Sequence, residues 1–153
     1  VVPAVGCTEP MAVALCTARA TELLGQKPER IKALLSANIL KNAMGVGIPG
    51  TGMIGLPIAI SLGALIGKSE YQLEVIKDLT PESLEEGKQY VAENHIDIKL
   101  KSGISEKLYV EITCEAGENK ATAIISKTHT NFVYEEMNGK VLLNKQVEAG
   151  DGA

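Results

Sequence analysis

Cys7 stands in Gly6-Cys7-Thr8-Glu9-Pro10, directly ahead of an apolar stretch. Thr8 reads as a helix N-cap, Glu9 puts a carboxylate in the first turn, and Pro10 tolerates a turn where its missing N–H is not needed. A thiol at a helix N-terminus feels the positive end of the dipole. That favours the thiolate, the form that ligates metal or attacks carbon. The competing reading is a small buried hydrophobe, since free cysteine is among the most buried residue types. Cys16 lies nine residues downstream on the same helix, about 13 Å along its axis, too far to share one cluster with Cys7. Cys7, Cys16 and Cys114 are unevenly spaced and make no disulfide framework.

A second concentration of chemistry is the glycine-rich run Gly45-Val46-Gly47-Ile48-Pro49-Gly50-Thr51-Gly52. It matches the dinucleotide pattern G-x-G-x-x-G only formally, because Lys41 to Met44 separate it from the preceding strand-like run and no regular βαβ series follows. Gly67-Lys68-Ser69 is a false P-loop, with Leu62 where glycine is required. The loop's backbone N–H groups suit a small anionic or carboxylate ligand, with Thr51 adding a hydroxyl. A tight structural crossover fits it equally well. Lys41 and Asn42 are polar residues entering an otherwise uncharged region. His129, in Thr128-His129-Thr130-Asn131, lies between two strand-like runs, where a lone His is more often a turn residue than a base. His95 ends a polar helix and reads as a dipole-complementing cap.

The elements that must carry these residues follow from periodicity. Residues 8–24 form a helix apolar nearly all round, expected in the core and ending near Gly25. Residues 31–40 read as a strand, apolar on both faces and therefore central. A helix over about 55–66 follows the glycine loop, with Pro57 in its first turn. Thr80-Pro81-Glu82 starts a polar helix running to about Asn94, anchored by Leu84 and Val91. After His95 the period becomes two, with strands over 96–101, 107–114, 121–126 and 131–136 and a return over 141–143. Ala116-Gly117-Glu118-Asn119 and Asn138-Gly139 are hairpin turns, the second of type I′. Helices first and a meander afterwards predict an α+β fold, core helices packed on one face of a mostly antiparallel sheet.

The 153 residues carry a formal net charge of −4 with both signs interspersed, and one Phe and four Tyr are the only aromatics besides two His. No basic cluster interleaves with aromatics, so nucleic acid is not an expected partner. Residues 42–67 hold no charge, but glycines and prolines break them and the continuous apolar part is shorter than the ~20 residues a membrane span needs. The cytoplasm is the expected compartment. Gly150-Asp151-Gly152-Ala153 has linker composition. Residues 1–149 are accordingly expected to be one α+β domain, with 150–153 opening a linker to a further domain.

Taken together, Gly6-Cys7-Thr8-Glu9-Pro10, the run from Leu35 to Asn42, the run from Met44 to Met53, and His129-Thr130-Asn131 resemble the L-cysteine desulfidase family. These are serine-dehydratase-like iron–sulfur proteins. Ala37 stands where that pattern has glycine. The resemblance implies the N-terminal domain of a [4Fe–4S] lyase, independent of pyridoxal phosphate, that releases hydrogen sulfide or water from L-cysteine or L-serine to give pyruvate and ammonia. It implies Cys7 as a cluster ligand, the other ligands lying in a missing C-terminal domain, and Cys16 and Cys114 as structural. Lys41 and His129 become candidates for catalysis. Asn42, Gly50, Thr51, Gly52 and Asn131 become candidates for contacting a small amino-acid substrate. The fragment alone would be inactive, and a homodimer is among the expected assemblies. Two rival readings are a non-catalytic small-ligand-binding or regulatory module, and a nucleotide-binding domain.

Overall fold

The structure, a computed structural model, describes residues 8–43, 47–48, 53–104 and 107–145. Helix α1 (Thr8–Leu24) is followed by strand β1 (Arg30–Leu35) and a short helix α2 (Ala37–Ala43). A two-residue ribbon, β2 (Gly47–Ile48) and β3 (Met53–Ile54), pairs antiparallel. Then come α3 (Leu56–Leu65), a 3-10 turn (Ser69–Glu74) and α4 (Pro81–Ala92). The rest is strand: β4 (Ile96–Leu100), β5 (Tyr109–Ala116), β6 (Asn119–Ser126), β7 (Phe132–Met137) and β8 (Lys140–Asn144).

Six strands form one sheet in the order β4-β1-β5-β6-β7-β8. Only the β1–β4 pair is parallel. The fold is α+β, as periodicity predicted. Along β5 the residues Val110, Ile112, Cys114 and Ala116 are buried, while Glu111, Thr113 and Glu115 between them are partly exposed. That alternation is what a sheet covered on one face requires. α1 lies against β5, β6 and β7, and α3 packs on α1 and α4.

α1 is buried on almost every side, from Met11 through Ala20 apart from partly exposed Arg19. Its small residues let α3 approach closely. A Cβ added at Gly63 would fall 2.5 Å from the Ala14 carbonyl oxygen, so only glycine fits there. The helix ends as expected: Gly25 is left-handed at φ 79° and its N–H donates to the Thr21 carbonyl at 2.9 Å. α4 starts on a reciprocal cap. The Ser83 N–H donates to Thr80 Oγ1 (3.1 Å) and the Thr80 N–H donates to Ser83 Oγ (2.8 Å), with Pro81 at the first helical position. Asn138 and Gly139 both take positive φ (51° and 86°), as a type I′ turn demands.

One element differs in kind from its expectation. Residues 31–40 are not a single strand: β1 stops at Leu35, and Ala37–Ala43 is helical. Nor is β1 apolar on both faces, since Arg30 and Lys32 are exposed on the uncovered side. The reason is local. The Ser36 carbonyl accepts the first helical bond from the Leu40 N–H while its hydroxyl holds β1 to the entry of β5, and an apolar run cannot by itself tell a strand from a buried helical segment. Lys41 and Asn42 thus sit on a helix rather than at a strand's end. No described helix is long and apolar enough to cross a membrane.

Candidate functional site

Ser36 is the hub from which one end of the sheet is organised. It is 2% exposed, and its N–H donates to the Tyr109 carbonyl at 3.0 Å. Its hydroxyl donates to the Lys107 carbonyl at 2.8 Å and accepts from the Tyr109 N–H at 3.2 Å. Its carbonyl accepts from the Leu40 N–H at 3.0 Å, opening α2. One residue therefore ties the end of β1, the start of α2 and the entry to β5.

A cleft of about 490 Å³ opens over this hub. Ser36, Asn38 and Lys41 line it from the β1–α2 side, and Lys101, Ser102 and Lys107 from the segment joining β4 to β5. That segment turns at Gly103, whose φ of 78° favours glycine. Ile104 packs beside Tyr109, Ile124 and Val133 on the uncovered face of the sheet, which anchors the wall. Among the described residues no aspartate or glutamate lines the cleft. Glu111, outside it, lies 3.6 Å from the Lys101 ammonium, and Lys101 also lies 5.7 Å from the Tyr109 ring centroid. Lys41 and Lys107 have no ion pair among the described residues. Paired lysine ammonium groups beside hydroxyl and amide groups attract and orient anionic oxygens.

The residues singled out from sequence do not gather in one place. Lys41 lines the cleft, whereas its neighbour Asn42 is exposed on α2 and does not. His129 sits elsewhere, its Nε2 3.5 Å from Glu9 Oε2 in the first turn of α1, with no hydrogen-bond partner for that nitrogen among the described residues. Asn131 is a turn residue: its side-chain amide donates to the Ser126 carbonyl at 2.9 Å, and Lys145 approaches its Oδ1 at 3.5 Å. With Lys41 at the cleft and His129 against Glu9, the two catalytic candidates do not form one constellation among the described residues. Cys7, Gly50, Thr51 and Gly52 lie outside the described residues.

Cys16 and Cys114 are core residues, as expected. The Cys16 thiol donates to the Ala123 carbonyl at 3.1 Å, and burial pushes its pKa well up. Burial likewise pushes the Cys114 thiol up to about 12, partly offset by its contact with Thr21. Thiols kept protonated in this way do not suit a metal cluster. Among the described residues no group of three or more His, Cys, Asp or Glu side chains is placed to hold a metal ion. His95 does more than cap a helix. Its ring stacks on Tyr90 at 4.2 Å and bonds the Glu29 carbonyl and the Glu93 carboxylate, at 2.8 and 2.9 Å.

Sequence reasoning found Lys41 but missed the opposite wall. The signal available was Lys99-Leu100-Lys101-Ser102-Gly103, followed by Lys107, a basic and turn-rich break between two strands. Nothing local placed it beside Ser36 and Asn38, because the two walls meet through the parallel β1–β4 pairing, the antiparallel β1–β5 pairing and the bonds of Ser36 to Lys107 and Tyr109.

No protein-family model matches the chain, and no solved structure matches it. Among curated proteins it is 70% identical over 151 residues to a UPF0597 protein of Bacteroides fragilis, covering 99% of this chain and 35% of that one. It is 72% identical over 146 residues to a UPF0597 protein of Phocaeicola vulgatus (95% and 34% covered). To a UPF0597 protein of Oleidesulfovibrio alaskensis it is 45% identical over 148 residues (97% and 34% covered). The chain thus spans about a third of the length of the curated relatives it matches. These names carry no desulfidase or dehydratase activity. The resemblance to the L-cysteine desulfidase family is therefore corrected: the lyase assignment and its [4Fe–4S] cluster are withdrawn, and the similarity that stands is to UPF0597 proteins.

Proposed function

We propose that this domain binds a small, multiply charged anion, such as a dicarboxylate or a phosphate ester, in the cleft between α2 and the β4–β5 segment. The observation that carries this is the lining: three lysines, two serines and an asparagine, with no carboxylate among the described lining residues. Two of those ammonium groups, on Lys41 and Lys107, have no ion pair among the described residues, so an incoming anion displaces no described partner from them. Ser36 makes the floor rigid, since its bonds are already taken up by Tyr109, Lys107 and Leu40. A pre-formed floor lowers the ordering cost of binding.

The test is thermal stabilisation of the chain by inorganic phosphate, pyrophosphate, succinate and citrate at low ionic strength. A ligand at a hundred times its Kd should stabilise by about 2.7 kcal/mol, raising Tm by roughly 5–10 °C for a domain of this size. Added salt should weaken the effect. If all four anions leave Tm unchanged at millimolar concentration, the reading fails.

A further inference from the structure

We propose that β4 is a self-pairing edge, through which two copies of this chain join antiparallel about a two-fold axis at Ile98. The sheet has two terminal strands, β4 and β8. β4 meets β1 through alternate residues. The Ile31 N–H donates to the His95 carbonyl, and the Lys101 N–H donates to the Leu35 carbonyl, each at 2.8 Å. With this register, residues 95, 97, 99 and 101 turn their backbone groups toward β1. Ile96, Ile98 and Leu100 therefore present their N–H and C=O groups to the outer edge. None of the described loop, turn or cap bonds uses them.

An antiparallel partner of the same sequence must be complementary when the strand is reversed. Ile96-Asp97-Ile98-Lys99-Leu100 meets that condition about its centre. Ile98 faces Ile98 of the partner subunit, Asp97 faces Lys99 of the partner subunit, and Ile96 faces Leu100 of the partner subunit. The central pair then falls at a hydrogen-bonded position, which matches the outward backbone groups. The two charge pairs fall at the closer, non-hydrogen-bonded positions, where opposite charges help and like charges oppose pairing. Registers centred on Asp97 or Lys99 would use the same outward backbone groups but set like charges directly against each other at a closer, non-hydrogen-bonded position.

The side chains fit the same arrangement. Asp97 and Lys99 are exposed and pair within the strand at only 3.6 Å. Leu100 is 51% exposed, although it shares the helix-covered face with Ile31 and Leu35 through the register. Pairing would cover it with Ile96 of the partner subunit. The other edge lacks this complementarity. β8 reads Lys140-Val141-Leu142-Leu143-Asn144, with Lys145 next and no acidic residue, so reversal gives it no ion pair. Lysines on an edge strand discourage pairing. Closed two-fold association through one edge, with the other guarded, gives a dimer rather than a filament.

Sedimentation equilibrium of the chain up to about 0.5 mM tests this with three variants: Asp97→Lys, Lys99→Asp and the double swap. The parent chain should dimerise. Each single reversal should weaken dimerisation by about tenfold or more, equivalent to about 1.4 kcal/mol. The double swap should restore it, because it recreates both ion pairs with signs exchanged. Circular dichroism melts should show all four chains equally folded, the substituted side chains being exposed. A chain monomeric throughout, single reversals without effect, or a double swap that stays monomeric would each overturn the proposal.

Discussion

The helix-covered interior and the cleft at the strand ends treat reactive side chains in opposite ways. In the interior, the thiols of Cys16 and Cys114 are fully buried. Each is hydrogen-bonded or in contact with a neighbour and held protonated by desolvation. At the cleft, three ammonium groups stand at the surface over a rigid polar floor. The lesson is that a residue's type sets what chemistry it could do, while the dielectric and the partners around it decide whether it does any. The most nucleophilic side chains among the described residues serve packing, and the less conspicuous lysines face a place where a ligand can sit.

Substitutions in the interior should break this contrast most severely. Leu62→Ala removes a fully buried side chain that packs against α4 beside Gly87, and should cost about 3 kcal/mol in urea denaturation. Gly63→Ala forces a methyl group to 2.5 Å from the Ala14 carbonyl, and should cost about 2 kcal/mol in the same measurement. Neither should change the cleft's preference among anions.

The buried thiols also make an alkaline prediction. Cys114 has a folded pKa raised to about 12 from an ordinary value near 9. A raised folded pKa means its contribution is fully present below the unfolded value and is lost as pH rises through the folded one. Stability should therefore fall between roughly pH 9 and 12. Cys114→Ala should be less stable at neutral pH yet show a shallower decline over that window, measured by denaturant titration at each pH.

At the cleft the expected effects are smaller in stability and larger in binding. Lys41→Ala and Lys107→Ala should each change stability by no more than about 0.5 kcal/mol. Each should weaken anion binding by about tenfold, read as lost ligand-induced Tm shift. If either lysine substitution unfolds the chain, the contrast between interior and cleft is wrong.

The smallest effect belongs to His95. Its pKa is raised, first by its bond to the Glu29 carbonyl and then by Glu93. That contribution is present below about pH 6.5 and fades as pH rises through the folded value. His95→Gln should flatten the decline in stability as pH rises above about 6.5, measured by denaturant titration at each pH.

Much of the architecture was legible from local patterning. The all-round apolar character of α1, the Thr80 cap, the type I′ turn at Asn138 and Gly139, and the alternating strands after His95 are short-range signals, and each element formed where its signal lay. The break at Ser36 was not legible, because a low-charge run suits a strand and a buried helix equally. The cleft was half legible, through Lys41. His129 was found, but its neighbour proved to be Glu9 rather than Lys41.

What the amino-acid order determined alone was therefore the identity and sequence of the elements, since periodicity, caps and turns act over a few residues. Tertiary structure decided which elements neighbour one another: that β4 returns parallel beside β1, and that Lys101 and Lys107 thereby reach Ser36 and Lys41. It also decided that Cys16 and Cys114 end in a dry interior. Those outcomes depend on contacts between residues far apart in the chain, where burial, register and desolvation act together and no local pattern carries the information.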